Sequence, residues 1–255
     1  MNKATILAGN FPAEEKLKKI FKCEYAYFIK SEKEYKTLLK KLSKNSEIIT
    51  FLKSPRFAFN DLRDFIKETK RQGKKITVVY KSFSPFQIYP FEWIGDYALF
   101  PLRGFVSGEE KTRGFVFLSK QERFSGFERE FPEMPYLETV EARRRMAEQT
   151  TLFLIRKIDG LKSIFKEIYY PYLTDKKNAK SFLKSPGNTF AVRFENGEVA
   201  EKFMDNLKLF EKKSFVFGKN RSCVKKIRNY LVFSIGLESV SDLESDIREA
   251  KKQTQ

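Results

Sequence analysis

Short runs of aromatic and β-branched residues alternate with amphipathic stretches of helical period through the first half of this chain. That alternation constrains the fold more than any other feature of the sequence. Strands are expected at residues 25–29, 47–52, 76–80, 97–100 and 115–118. Between them, residues 11–22 gather Phe11, Leu17, Ile20 and Phe21 on one helical side. Ser31 and Glu34 have capping-box spacing for a helix to residue 42. Residues 60–72 turn Leu62, Phe65, Ile66 and Thr69 inward, and Gly73 supplies the stop. Strands separated by helices mean βαβ units and a largely parallel sheet.

The pattern changes after Pro132 and Pro135, where a boundary is expected. Residues 137–158 read as one long helix carrying Arg143-Arg144-Arg145. Short strands follow at 168–170, 189–194 and 231–235, with helices near 178–183, from Gly197-Glu198 to 207, and from a Ser241/Glu244 cap to 250. The expected class is therefore α/β over residues 1–135, then a small α+β domain over 136–255.

Several chemistries are excluded by composition. The chain has no histidine, which removes Ser-His-Asp and Cys-His catalysis, HExxH sites and every histidine-ligated metal. Cys23 and Cys223 are the only cysteines, too few for a zinc cluster or a disulfide framework, so no metal and a reducing, cytoplasmic setting are expected. No apolar run reaches the ~20 residues of a membrane span. The charges of the N-terminal stretch follow its apolar residues, the reverse of a signal peptide.

The 50 Lys and Arg against 33 Asp and Glu leave a net charge of +17. That balance attracts polyanions and keeps a nucleic-acid partner open. Against it, the clusters at 16–19, 40–41, 143–145 and 225–226 are short and lie in helix-like stretches, as solvated faces of a Lys- and Glu-rich, thermophile-like surface do. Cys23 reads as a small buried hydrophobe, Trp93 as a core or interface residue, and the glycine-bounded run 108–114 as a solvated connection.

A series of fragments then carries a resemblance. Gly187-Asn188-Thr189-Phe190-Ala191-Val192-Arg193-Phe194 is similar to a "G-x-x-F-S-F-E-L" strand, and Leu207-Lys208-Leu209-Phe210 to an "L-K-L-F" helix end. Phe233-Ser234-Ile235-Gly236-Leu237-Glu238 resembles "L-S-V-G-x-E". Arg145-Met146 stands where "L-R-M" would, Tyr169 to Leu173 resembles "x-Y-P-G-L", and Phe51 to Pro55 resembles "L-E-T-P". Pro85, Pro90, Glu92 and Asp96 keep the spacing of "S-P-x-x-x-x-P-L-E-L-G-A-D". In this collinear order the chain resembles the cystathionine γ-synthase and β-lyase family of pyridoxal-phosphate (PLP) enzymes. The resemblance implies an incomplete PLP-transferase-like large domain, mostly a parallel sheet with helices, followed by the small C-terminal domain. It also implies a chain that starts partway through the family's catalytic domain, without the Tyr-x-Arg element, the glycine-rich phosphate loop and the stacking tyrosine.

The departures fall on the chemistry that the resemblance implies. Counting from Asp96, the Schiff-base lysine position is Gly104, and glycine cannot form an imine. The phosphate-holding Ser and Thr positions are Pro101 and Arg103. Proline offers neither hydroxyl nor N–H, whereas Arg103 keeps a charge for an anion. The acid that should face the pyridine nitrogen falls at Val79 or Tyr80, and the substrate-carboxylate arginine at Val232. Lys81 and Lys111 are the nearest lysines in sequence to the lost one. No cofactor is expected, and the family's PLP is expected to be lost. The implied role is a non-catalytic subunit, structural or regulatory, as a homo-oligomer or beside a related PLP enzyme chain. Two alternatives remain: a sulfur-amino-acid lyase or transferase completed by a second chain, and a basic nucleic-acid-associated protein.

Overall fold

The structure is a computed structural model. It describes residues 3–7, 25–27, 47–52, 67–68, 71–73, 75–80, 97–101, 104, 107–108 and 115–119, and most of 137–255. The first six strands are β1 (Lys3–Leu7), β2 (Tyr25–Tyr27), β3 (Glu47–Leu52), β4 (Lys75–Tyr80), β5 (Tyr97–Pro101) and β6 (Phe115–Ser119). They form one sheet in the order β1-β6-β5-β4-β3-β2. Strands β2 to β5 pair in parallel, as the alternating pattern requires.

The sheet departs from expectation at its other side. Strand β6 runs antiparallel to β5, and β1, which the pattern does not reveal, runs antiparallel to β6. A parallel neighbour needs a crossover that carries the chain back to the starting end of the sheet, usually with a helix. After β5 the chain instead turns through Gly104 and Gly108, both at positive φ, and β6 returns directly beside β5. The expected helices at 11–22 and 31–42, most of those at 60–72 and 178–183, Trp93, Cys23, Lys81, Lys111 and Arg103 lie outside the described residues; Leu183, the described end of the 178–183 segment, is buried in a β-bridge rather than a helix. The end of the 60–72 segment is described: Gln72 N–H donates to the Glu68 carbonyl at 3.1 Å, and Gly73 stops the turn with φ 71°.

The second half is built on a four-stranded antiparallel sheet, β7 (Glu167–Tyr169), β8 (Thr189–Arg193), β9 (Cys223–Ile227) and β10 (Tyr230–Ser234), in the order β7-β8-β10-β9. Strand β9 holds Lys225 and Lys226, which the sequence pattern puts on a helix-like face. In the strand Lys225 is exposed and Lys226 pairs with Glu201. Among the described residues, three helices of ten residues or more accompany this sheet: α1 (Leu137–Ile158), α2 (Gly197–Asn206) and α3 (Val240–Thr254), with a single turn of helix at Pro171–Thr174. Asn196 caps α2 through Val199 N–H. The α3 cap is Ser239, which accepts from Asp242 N–H, rather than the expected Ser241. Ser, Asp and Asn all favour this position, and Ser239 is the one with extended backbone just ahead of the first turn.

Alternation along the strands gives the sheet two different faces. Phe190, Val192, Leu231, Phe233 and Val224 lie on one face in a core shared with Leu154, Ile155 and Ile158 of α1, Phe203 of α2 and Ile247 of α3. Phe190 and Phe233 are register partners, and their rings stack at 4.9 Å. Phe165 meets Phe194 edge-on at 5.4 Å. Full burial of such side chains contributes roughly 1.5–3 kcal/mol each. The buried carboxylate of Asp246 on α3 accepts the backbone N–H groups of Lys208 and Leu209 at 2.9 and 3.0 Å, fastening α3 to the turn after α2.

Gly236 follows β10 and has no room for a side chain. A Cβ there would stand 2.6 Å from the Asn220 carbonyl carbon and 2.7 Å from that of Arg221. Both atoms are backbone, and the Asn220 carbonyl is held by Leu237 N–H at 2.8 Å, so neither can swing aside. Gly236→Ala should destabilise the protein by about 1–3 kcal/mol, read as a lower chemical-denaturation midpoint; an unchanged midpoint would disprove this close approach. Near the start of α1, the Glu141 carboxyl is held at about 2, first by its hydrogen bond from Arg144, with burial opposing and Arg145 adding. A depressed folded-state pKa gives stability that is complete above the unfolded value of ~4.3 and lost as pH falls toward about 2. Glu141 is part-exposed, so solvent screens the gain. Glu141→Gln should accordingly flatten the acid limb of thermal stability across that window and leave its shape near neutrality unchanged.

Candidate functional site

Parallel strands bring their C-terminal ends together, and ligand sites of open α/β sheets form there. Val79 on β4 pairs with Leu99 on β5, so the ends that carry Val79, Tyr80 and Pro101 lie side by side. Gly104 comes three residues after the β5 end. It is buried with φ 76°, and Gly108 N–H donates to its carbonyl at 2.6 Å, closing a tight turn. This is the loop position that counting from Asp96 gives. Val232 is on β10 of the second sheet. It points away from the main core, buried in a small apolar cluster with Ala191 and packed by Tyr169.

The same loop meets the second half of the chain. The Gly108 carbonyl accepts from Asn220 N–H at 2.8 Å, and a Cβ on Gly108 would stand 2.6 Å from Asn220 Nδ2 and 2.7 Å from Arg143 Nη1. The φ of 75° is what favours glycine here, while a Cβ would have to displace those two side-chain ends. Asn220 Oδ1 accepts from Arg143 Nη1 at 3.2 Å.

Beside this junction lies a small pocket. Its described walls include Arg143, Arg144, Asn188, Lys219 and Asn220, with Ala147 from the same helix. The back wall is rigid. Ile235 N–H donates to the Asn188 carbonyl at 2.8 Å, the Asn188 side-chain amide donates to the Ile235 carbonyl, and the Tyr170 hydroxyl donates to the Gly187 carbonyl at 2.7 Å. Lys219, only 6% exposed, pairs with Glu211.

The Arg143-Arg144-Arg145 cluster, expected as a solvated face, is divided among three surroundings. Consecutive helical residues point ~100° apart, so a helix packed along one side cannot leave all three in water. Arg145 remains exposed. Arg144 turns in, donating to Glu148 and Ser185 at 2.8 and 2.6 Å and to Glu141 at 3.0 Å. Burial works against its charge, but Glu141 and Glu148 outweigh that, and its pKa is raised. Burial lowers the pKa of Arg143. Cys223 is a buried thiol pushed up to about 11, chiefly by desolvation, so it is no nucleophile near neutral pH. Among the described residues no group of side chains could hold a metal, and no helix is long and apolar enough to cross a membrane.

The described backbone places four of the positions that the resemblance assigns to PLP. Gly104 has no amine, Pro101 no hydroxyl or N–H, and Val79 and Tyr80 no carboxylate. The pocket at Arg143 and Lys219 involves none of them. The sequence gives no sign of it because its walls come from four separated segments, each bland by itself.

No protein-family model matches the sequence, and no curated protein matches it. Solved structures do. The cystathionine gamma synthase of Xanthomonas oryzae pv. oryzae, in complex with cystathionine, superposes with a TM-score of 0.77 at 19% identity, over 88% of this chain and 67% of that one. CalE6, a methionine gamma lyase of Micromonospora echinospora, gives 0.74 at 16% identity, over 86% and 67%. A putative O-acetylhomoserine (thiol)-lyase of Campylobacter jejuni, which carries a pyridoxyl-lysine, gives 0.71 at 17%, over 84% and 66%. The chain thus spans about two thirds of the length of these neighbours. At this identity the likeness is one of fold, and the fold is that of the cystathionine γ-synthase-type PLP-dependent enzymes.

Proposed function

We propose that this chain is a non-catalytic protein on a PLP-enzyme scaffold, a structural or regulatory subunit of the cytoplasm that acts by self-association or beside a related catalytic chain. Gly104 carries the reading. At the position of the reactive lysine stands a residue without an amine, buried and in a left-handed turn where any side chain is strained. Val232 adds to it, because an apolar side chain packed by Tyr169 cannot grip a substrate carboxylate. A bound PLP would lack its covalent link, its ring acid and much of its phosphate grip together. Each missing charge-assisted hydrogen bond weakens binding by roughly 1.5–3 kcal/mol.

Association is supported by α1, which leaves Met146 and Phe153 more than half exposed two turns apart on one helical face. Light scattering at micromolar concentration should give a mass above that of one chain, and a clean monomer would remove the homo-oligomer. Protein incubated with PLP should show no visible absorbance from a protein-bound imine, and no lysine should carry a pyridoxyl mass after borohydride reduction. Gly104→Lys should stay equally inert, since the ring acid and phosphate contacts remain absent. A pyridoxyl label on any wild-type lysine would instead establish the alternative, a sulfur-amino-acid lyase or transferase completed by another chain. Tight binding of DNA or RNA that weakens steeply with salt would favour the nucleic-acid reading of the +17 charge.

A further inference from the structure

Helix α1 is patterned on both of its sides. Val140, Ala147, Leu154 and Ile158 are buried on the inner side. On the opposite side Ala142, Met146, Gln149 and Phe153 are exposed, Met146 at 55% and Phe153 at 53%. Those four positions follow one another at spacings of four, three and four. Three of the four are apolar, whereas the solvent side of a surface helix is ordinarily polar. We propose that this stripe is a docking seam for an acidic amphipathic helix of another protein.

Width and spacing point to a helix as the occupant. Apolar positions alternating by three and four form the narrow seam on which two helices interlock, and a lipid surface takes a broader apolar face. Gln149 stands in the middle of the seam, where a polar residue fixes the register of a partner. From Ala142 to Phe153 the seam runs about 17 Å, the length of a small, reversible contact.

Charge gives the sign of the partner. Between positions 142 and 157 the helix carries five Arg and Lys residues and one acid, Glu148, which accepts from the inward Arg144. Arg145, Arg156 and Lys157 are exposed beside the stripe. Glu141 and Glu244 meet Arg145 and Lys157 and offset part of their charge. Arg156 has no carboxylate partner among the described residues. Its guanidinium lies over the Phe153 ring at 5.9 Å, which keeps a cation at the edge of the seam. A second copy laid along this face, in either direction, would set its own 143–145 or 156–157 cations against these, and like charges so placed disfavour docking. A helix with an apolar stripe flanked by Asp and Glu meets both the seam and the charge.

This docking rests on the chain being a subunit, and it gives the α1 face to a partner other than a second copy. The test uses the full chain and a fluorescent three-heptad helical peptide with Leu at both seam positions of each heptad and Glu at the flanking positions, followed by anisotropy. The control peptide has Lys at the flanking positions. The Glu peptide should bind saturably, about tenfold or more tighter than the Lys peptide, and weaken as salt is raised. Met146→Gln combined with Phe153→Gln changes only exposed positions and should weaken that binding about tenfold or more. Arg156→Glu should narrow the difference between the two peptides, and serves if the double variant does not fold. No saturable binding of the Glu peptide to the wild type overturns the seam. So does equal affinity for both peptides, or undiminished binding by the folded double variant. A light-scattering mass that falls to one chain in the double variant would assign the stripe to a second copy. Sedimentation with anionic-lipid vesicles that the double variant loses would assign it to a membrane surface, and either result overturns the proposal. A pyridoxyl label on a wild-type lysine would end the non-catalytic reading and leave the peptide result standing, whereas failure of the peptide leaves the loss of PLP chemistry untouched.

Discussion

The peptide of Asn220 is the point on which the two halves of this structure depend. Its N–H is given to Gly108, in the loop after β5, and its carbonyl takes the N–H of Leu237, just past β10. The side chain holds Arg143 on α1. One residue thus ties the loop at the end of a parallel strand, the exit from the antiparallel sheet and the long helix. Glycine lies on both sides of the tie: at 236 a Cβ would overlap the Asn220 backbone, and at 108 the φ of 75° suits glycine. Close backbone approach of this kind excludes water, and buried backbone polar groups must then be paired. Here both are.

The electrostatics follow from that arrangement. A helix that approaches the Asn220 turn must place some of its 143–145 arginines inside. Arg144 is accommodated by Glu141, Glu148 and Ser185, and Lys219 by Glu211. Cations at partly buried positions are stabilised only with such partners, since desolvation otherwise outweighs their attraction. The net charge of the chain says nothing of this. Charge that the composition presents as surface is in part committed to holding a pocket together.

A good deal of this is legible in the sequence, and the reasons differ by element. Strands β3 and β4 are dense in β-branched residues and can be read directly, and α1 is long enough for its bounds to be read to the residue. Strand β1 cannot, because Lys3–Leu7 is only five residues, of which Thr5 and Ile6 alone are β-branched, too short a run for alternation to register. Strand β9 hides behind Lys225 and Lys226, whose alternation with Val224 and Ile227 is too short to outweigh two adjacent charges. The left-handed loop position of Gly104 is reached by counting from a resemblance, not from any local signal. The pocket is invisible for a different reason. Asn188, Asn220 and Lys219 acquire meaning only when turns distant in sequence converge, and periodicity carries no information about that convergence.

The carboxylate of Asp246 makes the C-terminal helix something other than a passive cover. It satisfies two backbone N–H groups on a turn nearly forty residues earlier in the chain. If α3 lifted alone, those donors and the acid would all have to find water in a site still lined by Leu207 and Phe210. Departure of the helix therefore takes the 207–210 turn with it, and the end of α2 loses its support in the same event. The last fifteen-residue helix and a segment far upstream open and close as one cooperative unit. The C-terminus is in this sense a latch on the small domain.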